Sequence, residues 1–508
     1  MTSGTRKWGT LVLGCLAVLL LAVDLTVLHL AVPALVADLG PSATQVLWIA
    51  DVYGFALAGL LVTMGNVGDR WGRKRLLLVG AAGFGVASVC TAYAPTPELL
   101  IAARALLGVA GATIMPSTLS IIRNVFTDAR ERTTAVGVWS GVGAAGFAVG
   151  PIVGGLLLER FWWGSVFLVN VPVVALIVVV GVVVLPESRN PAPGRLDPLS
   201  VVLSVVGVVA LVYAVKEAAH GGVGPAALVA AAVGVGALAV FGRRQTRLEE
   251  PLIEVRLFAV RAFSASIGAT LVAMFASLSL SLILAQYLQL VLGWTPLQAG
   301  LGGLPGGVCA AVGGGLAGPL VARWGRAAVV ALGLGSTAAG FGLFAAALSV
   351  GTTFWSVLPA MVVYGTGVGL AFAVTNDTVL ASVPRERAGA AASISETATE
   401  VGGALGIAVL GSVLGAVYRD DLALPAGVPA GVPAAAGESL AATLHAAAGL
   451  PAEVAGPLVA VARQAFVDGA VAGMWVCAGL LAVSAVLAGR VLRPVPKVID
   501  DPGPAVPS

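Results

Sequence analysis

Four acidic residues lie in stretches of sequence that are otherwise apolar. Asp24 and Asp51 lie in the first two stretches, and Glu396 and Glu400 share a later one. A carboxylate in the hydrocarbon layer of a membrane costs about 2.5–3.5 kcal/mol or more, so acids in such positions are expected to serve a function. Because its surroundings tune the proton affinity of a buried carboxyl, these side chains could exchange protons or bind a cationic ligand.

A single arginine in a third apolar stretch offers the first two acids a partner. Counting along the stretches places Asp24, Asp51 and Arg104 at comparable depths, in the outer half of a membrane. A static salt bridge to Arg104 is one interpretation of both acids. One arginine cannot fully neutralise two carboxylates, so we predict that at least one of them exchanges protons.

Glu396 and Glu400 are four residues apart, a spacing that places both on one face of a helix. Two carboxylates so close together should not both ionise, so one is expected to hold a proton. The sequence places no Lys or Arg inside their apolar stretch. Either acid could therefore pair with a cationic substrate or carry a proton, and Glu400 could instead be a buried helper of Glu396.

Other polar and aromatic residues are weaker candidates. We expect a packing role for His29, and a polar role at a helix end for Asn376 and Asp377. Aromatic rings attract cations by about 0.5–2 kcal/mol, although anchoring at the membrane interface is the commoner fate of Trp and Tyr. The aromatic candidates for a cavity wall are Tyr53, Trp139, Phe275 and Tyr287.

The composition indicates that lipid surrounds most of the chain. Of its 508 residues 58% are hydrophobic and only 10% are charged, against about 25% charged in soluble globular proteins. The net charge of +3, without a long basic tract, gives no support to nucleic-acid binding. The four cysteines lie in different apolar stretches and the three histidines are far apart, so we expect neither a metal nor a cofactor. The sequence has no G-x4-G-K-[ST] loop, so ATP is not the expected energy source.

Fourteen apolar stretches approach the roughly 20 residues that a membrane-spanning helix needs. They are 10–35, 45–66, 75–94, 97–122, 133–158, 162–185, 198–216, 225–241, 263–290, 297–321, 327–348, 353–376, 388–416 and 468–490. Between these spans, 23 Lys and Arg residues lie on one side and 4 on the other. Because an excess of basic residues marks the cytoplasmic side, we predict an all-α multi-pass membrane protein with both termini in the cytoplasm.

Two segments half a chain apart resemble each other. Residues 65–80 read GNVGDRWGRKRLLLVG and residues 318–333 read GPLVARWGRAAVVALG, an offset of 253. Each segment joins two spans on the predicted cytoplasmic side, and parallel repeats of this kind are typical of transporters. The predicted units are a six-helix bundle at 1–190, an inserted helix pair at 191–255, a second six-helix bundle at 256–493 with an external segment at 417–467, and a disordered tail at 494–508.

Three motifs connect these spans to a known family. The loop from Gly65 to Arg75 fits G-x-x-x-D-R-x-G-R-K, the fifth span fits G-x8-G-x3-G-P-x2-G-G, and the second span contains WIADVY. By these motifs the sequence resembles the major facilitator superfamily. Within it, the sequence is similar to the fourteen-helix drug/proton antiporters that export quaternary ammonium compounds and fluoroquinolones.

The resemblance implies roles for two further sets of residues. A charged loop would latch the two bundles in one conformation and release them in the other. The residues of this latch are Gly65, Asp69, Arg70, Gly72, Arg73 and Lys74. In the second copy Ala322 stands in place of Asp69, so the latch is expected to be asymmetric. The antiporter helix, whose glycines permit close packing and whose proline bends it, carries Gly137, Gly146, Gly150, Pro151, Gly154 and Gly155.

The function implied is proton-coupled export of amphiphilic, cationic drugs by alternating access, carried out by a monomer in the bacterial cytoplasmic membrane. Its partners would be a drug-like small molecule, protons and the lipid bilayer. The predicted proton-coupling residues are Asp24, Asp51, Arg104 and Glu396, and the predicted substrate contacts are Asp24, Asp51, Glu396, Glu400 and the four aromatic residues named above.

Several alternatives remain open. A dedicated exporter of one endogenous metabolite or antibiotic would carry the same motifs. The fifth-span pattern argues against an importer, and the sequence lacks the Ser/His/Asp cluster that a membrane-embedded enzyme would need. The segment 417–467 could be an external helical hairpin, as the resemblance suggests, or a flexible linker.

Overall fold

Helix accounts for the regular structure of the described part of the chain. The computed structural model describes residues 3–41, 43–189, 197–221, 224–248, 251, 255–384, 388–423, 425 and 439–496. The helices are α1 (Ser3–Leu39), α2 (Ala43–Trp71), α3 (Arg73–Ala92), α4 (Pro97–Val125), α5 (Ala129–Leu158), α6 (Ser165–Leu168), α7 (Asn170–Val184), α8 (Pro198–Gly221), α9 (Pro225–Gln245), α10 (Arg261–Gln286), α11 (Pro296–Trp324), α12 (Arg326–Ala347), α13 (Phe354–Ala381), α14 (Ala388–Asp421), α15 (Leu440–Ala447) and α16 (Ala452–Val491).

Each of the fourteen predicted spans is confirmed as helical. In the described residues, twelve helical segments are long and apolar enough to cross a bilayer. The other two spans are α5 and α8, and the apolar part of α8 is short, at Pro198–Ala214. The sixth span is divided into the short α6 and the longer α7. These lengths and compositions indicate a multi-pass membrane protein, because a helix satisfies its own backbone groups in lipid.

Both copies of the internal repeat adopt the same turn. Gly72 separates α2 from α3 with a φ of 112°, and Gly325 separates α11 from α12 with a φ of 85°. Positive φ is cheap for glycine and costly for other residues. At Gly72 an added Cβ would also overlap the carboxylate of Glu187. We call the end of the molecule that carries both turns the basic end.

The N-terminal bundle, α1–α7, meets the C-terminal bundle, α10–α14 with α16, along a seam between α5 and α11. Gly137 and Gly314 touch through their backbones at this seam, and a Cβ on either glycine would overlap the carbonyl of the other. Gly154 of α5 is buried, and a Cβ on Gly155 would lie 3.8 Å from Leu297 of α11. The bundles therefore approach each other closely along the length of α5.

A second face of α5 packs against α1. A Cβ on Gly146 would overlap that of Ala22, and a Cβ on Gly150 would overlap the hydroxyl of Thr26. The glycines of the predicted antiporter motif thus serve two different contacts, one within the N-terminal bundle and one between bundles. The side chain of Pro151 lies outside the described part of the structure.

In the inserted pair, α8 packs against α9 and also contacts α2 and α14. Asp197 joins the two inserted helices, because it precedes α8 and accepts hydrogen bonds from Arg244 of α9 at 2.6 and 3.1 Å. Hydrogen bonds from Arg244 and Ser200 hold the pKa of the Asp197 carboxyl well below its ordinary value. This contact stabilises the pair at neutral pH and is lost only as the pH falls below the ordinary aspartate pKa towards the lowered one.

The segment predicted to be external, 417–467, contains the end of α14, all of α15 and the start of α16. Hydroxyl groups of Tyr418 and Thr443 lie 2.6 Å apart and connect α14 with α15. α16 runs for 40 residues without a break, so the last part of this segment belongs to the same helix as the last span. Arg463 lies within this helix, and its side chain donates to the carbonyl oxygen of Leu290 at 3.1 Å. The tail from 497 onward lies outside the described residues.

We expect Gly137→Ala to weaken the seam between the bundles. The added methyl group has no room against the carbonyl of Gly314, and overpacking of this kind costs about 1–3 kcal/mol. Gly315→Ala is the matched control, because a Cβ on that neighbouring glycine of α11 meets nothing within 4 Å. In thermal unfolding of the detergent-purified protein, Gly137→Ala should lower the melting temperature and Gly315→Ala should not. Equal melting temperatures would contradict the packing at the seam.

Candidate functional site

Asp24 and Arg104 form a buried ion pair inside the N-terminal bundle. Arg104 Nη1 lies 3.0 Å from Asp24 Oδ2, and the two side chains are 1% and 0% exposed. The second carboxylate oxygen, Oδ1, accepts a hydrogen bond of 2.8 Å from Asn170 Nδ2. The same nitrogen donates to Ser88 Oγ at 3.2 Å. The carboxylate of α1 is therefore bound by groups from α4 and α7, with α3 behind them.

Aromatic rings and a backbone carbonyl complete the surroundings of Arg104. Its Cζ lies 4.8 Å from the centre of the Tyr53 ring and 5.8 Å from that of Phe167, within cation–π range. Arg104 Nε donates to the carbonyl oxygen of Ile49 at 3.2 Å. The Tyr53 hydroxyl is buried and has no hydrogen-bond partner among the described residues. Tyr53 thus packs on the arginine of this site, with its polar end unused.

Sequence analysis predicted that Asp24 and Arg104 lie together but did not identify Asn170 and Ser88 as their neighbours. Asn170 begins the otherwise apolar helix NVPVVALIVVVGVVV, and a polar amide at that position was the available signal. The side chains of Asp51 and His29 lie outside the described residues. The structure therefore describes two members of the predicted cluster, Asp24 and Arg104.

Glu396 and Glu400 lie on α14, the helix of the C-terminal bundle that packs against α2 and α4 of the N-terminal bundle. Glu396 is 6% exposed, and no described basic side chain forms an ion pair with it. Glu400 is half-buried, and its charge acts on Tyr53. Tyr53 therefore lies within electrostatic reach of charged groups in both bundles, Arg104 and Glu400.

The predicted wall aromatics are divided between two environments. Trp139 is buried at the junction of the bundles, in a cluster that includes Leu380 and Ala392. Phe275 and Tyr287 instead pack in the core of the C-terminal bundle, and the Tyr287 hydroxyl donates to the carbonyl oxygen of Ser349 at 2.6 Å. In this conformation these two rings do not line a space between the bundles.

Asp69 links the bundles at the basic end. Its Oδ1 accepts a hydrogen bond of 2.8 Å from Arg73 Nε and lies 2.7 Å from Nη2 of the same side chain. Its Oδ2 accepts from the backbone N–H of Ala390 at 3.4 Å. Ala390 lies in the first turn of α14, so the carboxylate also faces the positive end of that helix dipole.

The other latch residues make local contacts. Gly65 is buried in α2, and Arg70 is half-buried near the end of the same helix. Lys74 donates its backbone N–H to Glu187 at 3.2 Å and its ammonium group to the carbonyl oxygen of Val182 at 2.7 Å. These contacts hold the loop on the end of α7, within the N-terminal bundle.

The structure corrects the expectation for Asp377. α13 continues to Ala381, so Asp377 does not end a helix, and its side chain is completely buried. Arg132 Nε of α5 lies 2.7 Å from its Oδ1, and Arg326 Nη1 of α12 lies 2.7 Å from its Oδ2. Thr133 Oγ1 donates to the same Oδ2 at 2.8 Å. In this Asp377 cluster, one acid binds an arginine from each bundle.

Further polar contacts between the bundles lie near the Asp377 cluster. Arg123 of α4 donates to the carbonyl oxygens of Val383 and Pro384, which follow α13. Asn376, also expected only to end a helix, donates to Ser140 Oγ of α5 at 3.3 Å. Together with the contacts of Asp69, these interactions close the basic end.

Two similar helix bundles that meet at a glycine seam, with acids buried in the spans and a polar closure at one end, define a secondary transporter. The Major Facilitator Superfamily model matches residues 14–407. The chain belongs to this family.

Two relatives align with nearly the whole chain. The multidrug efflux pump LfrA of Mycolicibacterium smegmatis is 45% identical over 489 residues, which cover 96% of this chain and 97% of the relative. The methyl viologen resistance protein SmvA of Salmonella typhimurium is 37% identical over 469 residues, which cover 91% and 93%. The crystal structure of the human organic anion transporter MFSD10 superposes with a TM-score of 0.59 over 95% of this chain and 99% of that chain. At 14% identity, this likeness shows the fold alone.

We expect Asp377→Asn to loosen the closure at the basic end. The change leaves Arg132 and Arg326 buried without their shared counter-charge, and breaking a buried ion pair in this way costs about 3–5 kcal/mol. An Ala390→Cys substitution in α14 reports opening through its rate of labelling by a polar thiol reagent, corrected for the native cysteines. That rate should rise about tenfold or more when Asp377→Asn is added.

Asp197→Asn is the control for this change, because it removes an acid that binds a single arginine in the inserted pair. It should leave the labelling rate of the Ala390→Cys protein unchanged. A rate in the Asp377→Asn protein equal to that of the control would show that the Asp377 cluster does not hold the bundles together.

Proposed function

We propose that this transporter is a proton-coupled antiporter that exports amphiphilic, cationic drugs or biocides from the cytoplasm. The names of the two relatives above, a multidrug efflux pump and a methyl viologen resistance protein, support the class of substrate. Methyl viologen is a doubly charged aromatic cation, which a carboxylate in an apolar setting would attract. The observation that carries the proposal is Glu396, a buried acid on α14 without a described basic partner.

Competition at Glu396 explains the exchange. A carboxylate buried without a basic partner must be neutralised, because an isolated charge in low dielectric is too costly. A proton or a cationic substrate can do this, and each excludes the other. The substrate displaces the proton when the site faces the cytoplasm, and protons displace the substrate when the site faces the more acidic exterior.

Movement of the two bundles would carry the site between these faces. The excess of basic residues makes the basic end the cytoplasmic one. With that end closed, the conformation described above corresponds to the stage at which Glu396 has lost contact with the cytoplasm. Asp69 and the Asp377 cluster hold this stage, and the seam of α5 and α11 is where the bundles rock. Both bundles and all these acids belong to one chain, so a monomer suffices.

Asp24 and Arg104 would couple the N-terminal bundle to this exchange. When Asp24 takes up a proton, Arg104 loses its counter-charge. The uncompensated charge of Arg104 then lowers the cost of ionising Glu400, since Tyr53 contacts Arg104 and lies within electrostatic reach of Glu400. Protonation in one bundle would in this way favour an ionised acid in the other. We retain Asp51 as a proposed member of this set from the sequence.

We expect Glu396→Gln to reduce export at least tenfold while the protein remains in the membrane. The amide has the shape of the acid but can neither release a proton nor balance a cation. Uptake of methyl viologen or ethidium into everted membrane vesicles, energised by a proton gradient, measures the effect. The wild-type rate should also collapse when an uncoupler removes the gradient.

Glu131→Gln is the control, because Glu131 is an exposed acid paired with Lys7 at 3.2 Å, away from α14. It should transport at the wild-type rate. If Glu396→Gln transports as well as this control, Glu396 is not the exchange site. If wild-type transport survives the uncoupler, proton coupling is wrong.

A further inference from the structure

Asn170 holds Asp24 through one end of its amide group and leaves the other end unused. Its Nδ2 donates to Asp24 Oδ1 at 2.8 Å and to Ser88 Oγ at 3.2 Å. Its Oδ1 is buried and has no hydrogen-bond partner among the described residues. Asn170 is 1% exposed and Ser88 is 0% exposed. Buried amide oxygens are nearly always satisfied in folded proteins, so an unused one calls for an explanation.

The two protonation states of a carboxyl group need opposite partners. An ionised carboxylate only accepts hydrogen bonds, whereas a carboxylic acid also donates one. The Asn170 amide contains both a donor and an acceptor, and rotation by about 180° about its last side-chain bond exchanges them. The Ser88 hydroxyl can follow, because it accepts from Nδ2 in one arrangement and can donate to Oδ1 in the other.

The positions of the donors also select the oxygen that takes the proton. Arg104 donates to Oδ2 of Asp24 and keeps its own charge in either state, so it opposes a proton on that oxygen. The other oxygen, Oδ1, faces Asn170. A proton on Oδ1 would collide with the donor Nδ2 in the present arrangement and would donate to the amide oxygen after rotation.

We propose that Asn170 and Ser88 are positioning residues that keep Asp24 hydrogen-bonded in both of its protonation states. The Asn170 amide faces Asp24 with its nitrogen when the acid is ionised and with its oxygen when the acid holds a proton on Oδ1. In this step one O–H bond forms on Asp24 as one O–H bond of a hydronium ion from the aqueous phase breaks, and no other covalent bond changes. The inference rests on the proposed function, in which Asp24 exchanges a proton.

The other described groups around Asp24 do not offer it both a hydrogen-bond donor and an acceptor. Arg104 of α4 is a permanent donor, Tyr53 of α2 contacts Arg104, and Glu400 of α14 lies within electrostatic reach of Tyr53. α5 presents Gly146 and Gly150 to this part of α1, and α6 consists of SVFL. The side chain of Asp51 lies outside the described residues. In the described part of the chain, Asn170 is therefore the side chain in contact with Asp24 that can serve both states.

The test is the pH dependence of methyl viologen transport by purified protein in lipid vesicles. Asn170→Leu keeps the size of the side chain but removes both partners. Hydrogen bonds to charged groups are the stronger ones, so the ionised state loses more, and the pH of half-maximal transport should move up by about one unit. The KM for methyl viologen should stay unchanged. In Asn170→Gln, which keeps an amide group, the pH of half-maximal transport should lie close to the wild-type value.

Thr91→Val is the matched control on α3, because Thr91 is buried and its hydroxyl donates to the carbonyl oxygen of Ala87 in its own helix. Its midpoint should equal that of the wild type. A lower rate at every pH with an unchanged midpoint in Asn170→Leu would show a merely structural role and overturn the inference. Asp24→Asn distinguishes this result from failure of the proposed function. If that variant keeps the wild-type pH dependence, Asp24 does not exchange protons.

Infrared difference spectroscopy tests the same inference without an altered Asn170. Lowering the pH of the wild-type protein should shift a side-chain amide band as the Asn170 carbonyl gains a hydrogen bond. The same change should be missing in the Asp24→Asn protein. Identical difference spectra from the two proteins would overturn the inference even if Asn170→Leu fails to fold.

Discussion

Lipid cannot solvate a charge, and this constraint decides where the charged side chains of the described spans lie. Asp24 is enclosed by Arg104 and an amide, and Asp377 by two arginines and a hydroxyl. Each of these groups offsets a cost that would otherwise exclude the acid from the membrane. Glu396 departs from this rule, since no described basic residue pairs with it. A departure from a strict physical rule is where function is expected, and the proposed exchange of proton and cation occurs there.

The internal repeat shows how one turn can serve two different contacts. Gly72 and Gly325 both have a positive φ, and each is followed by an arginine at an equivalent position. In the first copy Arg73 pairs with Asp69, which lies four residues earlier in the sequence. In the second copy Ala322 replaces that acid, and Arg326 instead reaches Asp377 on the next helix of its bundle. Because Asp377 also binds Arg132, the change converts a contact within one bundle into part of a closure between two.

The seam and the closure have different physical characters, and this difference suits a moving structure. The contact of α5 with α11 includes glycine backbones in close approach, such as Gly137 with Gly314, which can slide without breaking a strong directional bond. The closure at the basic end consists of ion pairs and hydrogen bonds, which are either formed or broken. A seam that can slide and a closure that is either formed or broken together allow the bundles to change between discrete arrangements.

The sequence alone determined the features that depend on local pattern. Apolar length identified all fourteen spans, the glycine spacing identified the close-packed fifth helix, and an intramembrane acid and arginine identified Asp24 with Arg104. Tertiary structure decided what depends on how distant helices approach each other. It places Asn170 and Ser88 beside Asp24, and it packs Phe275 and Tyr287 in the core of the C-terminal bundle. It also places Asp377, predicted to lie at a helix end, at the centre of the closure. The reason is that hydrophobic periodicity records which residues face lipid, whereas the partner of a buried polar group is set by the packing of helices far apart in the chain.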